Sequence, residues 1–186
     1  MEALSKIAVD LRVSIPVGKD SLSMKTKWSE GSNELEVTSP LSGVVTAMAP
    51  VEDISIAVTP ELHADEDSAI ILVKLNTASR LSGSIFSEVT QSAYIDTPDI
   101  DDVTKFKDMF LMVQQLIKDR KLLALHDISD GGLITTLAEM CFTKKIGMDV
   151  DVSIFDNTNA SLFSEEIGFV LQASNADCDE IVSIFS

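Results

Sequence analysis

Val103, Phe106, Phe110, Val113 and Ile117 recur at alternating steps of three and four residues, the spacing of one apolar helix face. The pattern predicts the longest helix of the chain, from about Asp102 to Asp119. Immediately after it comes LLALHDISDGGL, residues 122–133. Leu122 to Leu125 is short and apolar enough for a central strand, and Leu133, Leu137, Met140 and Cys141 restart a helical face. Asp130-Gly131-Gly132 is therefore the expected strand-to-helix turn. A helix, a buried strand and a second helix in so short a stretch require packed layers of secondary structure.

The rest of the chain extends this pattern. AIILVKL (69–75) reads as a strand of a sheet buried on both faces. IGFVLQAS (167–174) is a last strand and CDEIVSIFS (178–186) a helix. Further strands are expected at SGVVTAMAPV (42–51) and GMDVDVSI (147–154), with short helices at DISIAVTPEL (53–62) and residues 84–92. Leu4, Ile7, Ala8 and Leu11 mark an amphipathic helix that opens the chain with almost no capping sequence before it. VSIPVGKDSLSMKTKW (13–28) reads as a short strand, a Gly-Lys-Asp turn and a partly alternating segment. The polar stretch SEGSNELEVTSP (29–40) suggests a domain boundary near residues 30–40. The resulting class is an α/β or α+β layered fold without internal repeats.

Charge narrows the partners. Thirty acidic residues against 14 basic ones give a net charge of −16, while 45% of residues are hydrophobic, so the chain is an acidic globule rather than a disordered acidic tail. A field of this sign opposes nucleic acid and anionic membranes, and neither is expected as a partner. An anionic ligand would need local amides, a lysine or a divalent metal. Cys141 and Cys178 are far apart and lack a metal-ligand spacing, so they read as small buried hydrophobes in a reducing compartment. No stretch approaches a membrane span and the start lacks a signal-peptide layout, so a cytoplasmic location is expected.

Two segments could carry chemistry. At the rim of the central strand, Asp127 offers the hard oxygen that magnesium prefers, and Ser129 offers a hydroxyl. Gly131 and Gly132 let backbone amides approach a phosphate. The same residues also make a tight turn with a helix capped by Asp130 and a satisfied His126. Residue types alone leave both readings open. In GKDSLSM, Gly18, Lys19, Asp20, Ser21 and Ser23 supply the parts that hold a phosphate and a metal together, or else a solvated hairpin turn. The acidic run Asp96 to Asp102 lacks the glycine and glutamate of a calcium loop, and His63 reads as an exposed loop residue.

With both segments quoted, the chain resembles the large multidomain phosphoribosylformylglycinamidine synthase family. IPVGKDSLSMKTKW (15–28), TSPLSGVV (38–45), VEDI (51–54), TPEL (59–62), HDISDGGLITTLAEM (126–140) and LFSEEIGFVLQ (162–172) carry the resemblance in collinear order. It implies an ATP- and magnesium-dependent ligase that turns formylglycinamide ribonucleotide into its amidine, with ammonia drawn from glutamine. It further implies that residues 1–40 are the tail of a synthetase N-terminal domain and 41–186 a C-terminal domain of the aminoimidazole ribonucleotide synthetase type, α+β and partly ferredoxin-like. Asp127 is then implied as a magnesium ligand and Ser129 as a nucleotide contact, in a second nucleotide site of structural character. Lys19, Asp20 and the hydroxyl of Ser21 or Ser23 would face Mg-ATP or substrate near the synthetase active site, with Asp20 a second candidate metal ligand.

No glutaminase cysteine–histidine site is recognisable, so the resemblance implies a piece that works with the remaining synthetase and glutaminase domains and is inactive alone. Two alternatives stand beside it: a noncatalytic scaffold of the same fold, and another ATP-dependent enzyme of the same superfamily.

Overall fold

The computed structural model describes residues 2–21, 24–40, 42–64 and 67–186. The chain divides into two compact units, Met1–Glu52 and Asp53–Ser186.

In the first unit, helix α1 spans Glu2–Leu11 and ends at Arg12, which adopts a left-handed φ of 58° while Val13 N–H bonds back to Ala8 O at 2.9 Å. Strands β1 (Lys25–Glu30) and β2 (Asn33–Thr38) form an antiparallel hairpin that pairs Trp28 with Leu35. The polar stretch expected to be a boundary is therefore half of a hairpin, closed by a turn in which Gly31 takes a φ of 64°. Glu36 bridges Lys25 and Lys27 across it, which holds its carboxyl below the usual range. Residues 42–51, expected as a strand, have no strand structure. An apolar β-rich sequence becomes a strand only where a neighbouring backbone completes the ladder. No described residue of this unit is buried.

The second unit begins with a 3₁₀ turn at Ile54–Ile56, capped by the Asp53 side chain, in place of the longer helix expected there. It continues through β3 (Ser68–Lys74), α2 (Ile85–Val89), α3 (Val103–Lys118), β4 (Ala124–Asp127), α4 (Gly132–Phe142), α5 (Thr158–Phe163), β5 (Gly168–Ser174) and α6 (Asn175–Ile184). The periodicity located α3 well, and Asp102 caps it by accepting the amides of Thr104 and Lys105. No strand forms at 147–154, and α5 appears where no helix was expected.

The three strands make one antiparallel sheet in the order β3-β5-β4. β5 is central, and Val170, Leu171 and Ala173 are fully buried. Alternation splits the core about this strand. Val170 joins Ala124, Leu133, Leu137 and Met140 on one face, while Leu171 and Ala173 join Met109, Leu116 and Ile181 on the other. β3, expected to be buried on both faces, is an edge strand with Ile70 partly exposed. The fold is α+β, with helices packed on an antiparallel sheet.

Within the buried face, Gln172 is fully engaged. Its Nε2 donates to His63 O and Ser68 Oγ, and its Oε1 accepts the His63 amide at 2.8 Å. The His63 side chain stays exposed, as expected.

Candidate functional site: the rim where β4 ends and β5 begins

Sheet direction assembles this site. Because β5 runs antiparallel to β4, Asp127 pairs with Phe169, so residues just before β5 lie beside those just after β4. Two backbone bonds close the corner: Ile128 N–H to Gly168 O at 2.9 Å, and Leu75 N–H to Ile167 O at 3.0 Å. Strand β4 alternates here as a half-buried strand should. Ile128 turns into the core while Asp127 and Ser129 remain exposed.

The glycine turn differs from the sequence reading in its details. The cap of α4 is Gly131 at φ 85°, with no side-chain cap of its own, and Asp130 does not fill that role. An acceptor arrives from elsewhere in the chain: Glu165 Oε1 accepts Gly131 N–H at 2.8 Å and Ile85 N–H at 2.9 Å. The Gly132 amide bonds to Ser129 O. Gly132 has a packing reason to be glycine, since a Cβ there would lie 2.7 Å from the Phe163 carbonyl carbon and 2.8 Å from Ser164 O. Its φ of 74° adds to that requirement.

Around Asp127, helix α4 reaches back toward the strand it follows. The buried Thr136 hydroxyl lies 3.1 Å from Asp127 O and 3.3 Å from Gly132 O. His126, 14% exposed at its side chain, places Nδ1 3.2 Å from Asp127 Oδ1 and Nε2 2.9 Å from Glu139 Oε2.

A second carboxylate lies behind this corner. Glu166 is buried and grips Arg80 in a bidentate pair, at 2.6 Å to Nε and 2.7 Å to a terminal nitrogen. It also accepts the Arg80 amide. Burial pushes the Glu166 carboxyl up, but the Arg80 hydrogen bonds outweigh that and hold it below the usual range. The outer edge of Arg80 pairs with Asp101 and Asp99 O. The acidic run is thus tied down at Asp101 by Arg80 and at Asp102 by its cap of α3. Lys74, half-buried nearby, donates to Ala78 O. Burial lowers its pKa, and the charge of Glu166 opposes that shift.

The other candidate segment lies in the first unit. Lys19, Asp20 and Ser21 are exposed in the coil after α1, and Lys19 Nζ donates to Ser21 Oγ. Ser23 lies outside the described residues.

As for a metal, no group of three or more His, Cys, Asp and Glu side chains among the described residues is arranged to cage one. Magnesium carried on a nucleotide needs only one or two protein carboxylates beside phosphate and water. The exposed Asp127 carboxylate, with Ser129 beside it, fits that more modest demand.

Residues 65–186 match the family described as AIR synthase related protein, C-terminal domain. The chain belongs to that family. Residues 1–50 match a domain described as FGAR-AT PurM_N-like. Among solved structures, Thermotoga maritima PurL complexed with ATP is similar at a TM-score of 0.50 and 13% identity, covering 70% of this chain and 21% of that one. The structure of PurLQS from T. maritima gives 0.51 and 12% over the same shares. T. maritima PurL complexed with AMPPCP gives 0.51 and 10%, over 71% and 21%. At these identities the likeness is one of fold, and the chain spans about a fifth of the length of the structures it matches. Together, the two family matches and this shared fold bear out the resemblance to part of a formylglycinamidine synthetase.

In the AIR synthase related domain, several residues at the rim escaped sequence reasoning. Glu165, Glu166, Arg80, Thr136 and Glu139 come from segments far apart in the chain. One signal was visible: two consecutive glutamates directly before the apolar run IGFVLQ. Carboxylates abutting a buried strand require partners, because an unpaired buried charge is costly.

Proposed function

We propose that the chain is part of an ATP- and glutamine-dependent ligase that converts formylglycinamide ribonucleotide to the amidine in purine biosynthesis, in the cytoplasm. In this reading Asp127 holds a nucleotide-bound magnesium ion, Ser129 contacts the nucleotide, and Gly131 and Gly132 give the turn its close backbone approach. Residues 1–40 are the tail of the synthetase N-terminal domain and 41–186 its C-terminal domain. Lys19, Asp20, Ser21 and Ser23 face substrate or Mg-ATP, with Asp20 as a further metal ligand. When bound, the magnesium nucleotide supplies the phosphoryl group that activates the substrate amide. The observation that carries the proposal is the exposed Asp127–Ser129 pair at the end of the half-buried edge strand β4, in a chain whose fold is shared with PurL proteins solved with ATP and AMPPCP.

One observation favours a second reading, a noncatalytic scaffold. The Gly131 amide, a natural phosphate donor, is already bound by Glu165. Calorimetric titration with Mg-ATP distinguishes the two. The ligase reading expects binding that Asp127→Ala weakens, and equal affinity in both proteins would refute it. The 186-residue chain alone is expected to give no ATP-dependent amidine formation, because sites of this kind are completed by the rest of the synthetase and the glutaminase.

A further inference from the structure

We propose that Glu139 and His126 are positioning residues for Asp127, an inference that rests on the reading of Asp127 as a metal ligand. Asp127 sits at the last position of β4 with a largely solvent-exposed carboxylate. Left alone, such a side chain samples several rotamers, and any ligand would have to fix it at an entropic cost.

Two contacts from one helix restrict it in advance. The Thr136 hydroxyl meets the Asp127 carbonyl at 3.1 Å and fixes the backbone. One helical turn further along the same face, Glu139 Oε2 lies 2.9 Å from His126 Nε2, and the opposite ring nitrogen lies 3.2 Å from Asp127 Oδ1. The ring is mostly enclosed, so it transmits the position of Glu139 to Asp127. Asp127 Oδ2 makes no hydrogen bond among the described contacts and is the oxygen available to a cation. Carboxylates that bind metals are commonly held by such outer partners, whose removal weakens metal affinity about tenfold to a hundredfold.

The test is the Mg²⁺ dependence of ATP binding by the full-length chain that carries this sequence, with thermal midpoints recorded for every variant. Glu139→Ala and His126→Ala should each raise the Mg²⁺ concentration at half-saturation by about tenfold. Glu139→Gln, whose amide keeps a hydrogen-bond partner for the ring, should restore most of that loss. In an Asp127→Ala background, Glu139→Ala should add nothing.

Equal effects of Glu139→Gln and Glu139→Ala would reduce Glu139 to a local charge and overturn the proposal. So would a Glu139→Ala effect that persists in the Asp127→Ala background, or a change in thermal midpoint without any shift in Mg²⁺ dependence. If Asp127→Ala itself leaves Mg-ATP binding unchanged, the ligand assignment falls and the relay falls with it. If only the relay variants are silent, the relay alone falls.

Discussion

The two units of the chain have similar apolar sequence but opposite fates. SGVVTAMAPV, at residues 42–51, is as hydrophobic as many core strands, yet Val44 is 93% exposed and Met48 94%. GFVLQAS, the whole of β5, is no more apolar, yet Val170, Leu171 and Ala173 are fully buried. The difference lies in neighbours. β5 has a strand on each side and helices over both faces, whereas the β1–β2 hairpin of the first unit has no buried residue. A lone two-stranded hairpin is marginal in water. Apolar sequence supplies the driving force, but the surrounding architecture decides whether that force is used.

Paired substitutions can break this comparison. Leu171→Ala should cost the second unit about 2–5 kcal/mol, as expected for a buried leucine at a site that cannot collapse. Val44→Ala should stay within about 0.5 kcal/mol. Urea denaturation of both variants checks this, and equal losses would place residues 42–51 in a core.

A smaller effect comes from the buried ion pair. The folded-state pKa of Glu166 lies below its usual value, so its contribution is present above the ordinary glutamate range near 4.3 and is lost as pH falls through the lowered value. Glu166→Gln should therefore destabilise the protein by about 3 kcal/mol at neutral pH, because Arg80 loses its charged partner. It should also flatten the decline in stability on acidification below about pH 5. Denaturation midpoints measured across pH 3–7 test the sign; parallel wild-type and variant curves would show that Glu166 does not drive the decline. The exposed Glu36 cluster in the first unit should give no comparable pH dependence, since solvent screens it.

The smallest expected effect is at Ser164. Its hydroxyl is buried without a hydrogen-bond partner among the described residues. Ser164→Ala removes that uncompensated group and should be neutral or stabilising by up to about 1 kcal/mol. A clear loss of stability would mean that the hydroxyl has a partner in solution.

Much of the second unit was legible in local pattern. The three-and-four spacing from Val103 to Ile117 located α3, and Ser84 and Asp102 marked helix starts through their side-chain caps. The strand-turn-helix at 124–142 followed from an apolar run, two glycines and a restarted helical face. Pattern failed at 42–51 and 147–154, where β-rich sequence finds no ladder, and at 29–40, where polar residues conceal a hairpin.

For the site, the sequence by itself determined the chemistry that could be offered at 126–132: a carboxylate, a hydroxyl and glycine amides at a strand's end. Only the tertiary structure decided what those groups face. The antiparallel pairing of β4 with β5 brings Glu165 onto the Gly131 amide, and that of β3 with β5 sets Glu166 against Arg80. The packing of α4 brings Thr136 and Glu139 back to His126 and Asp127. Local sequence specifies turns and faces because those depend on neighbours in the chain. Contacts between residues 34 to 86 positions apart depend on which strands pair and in which direction, and that is fixed only when the core closes.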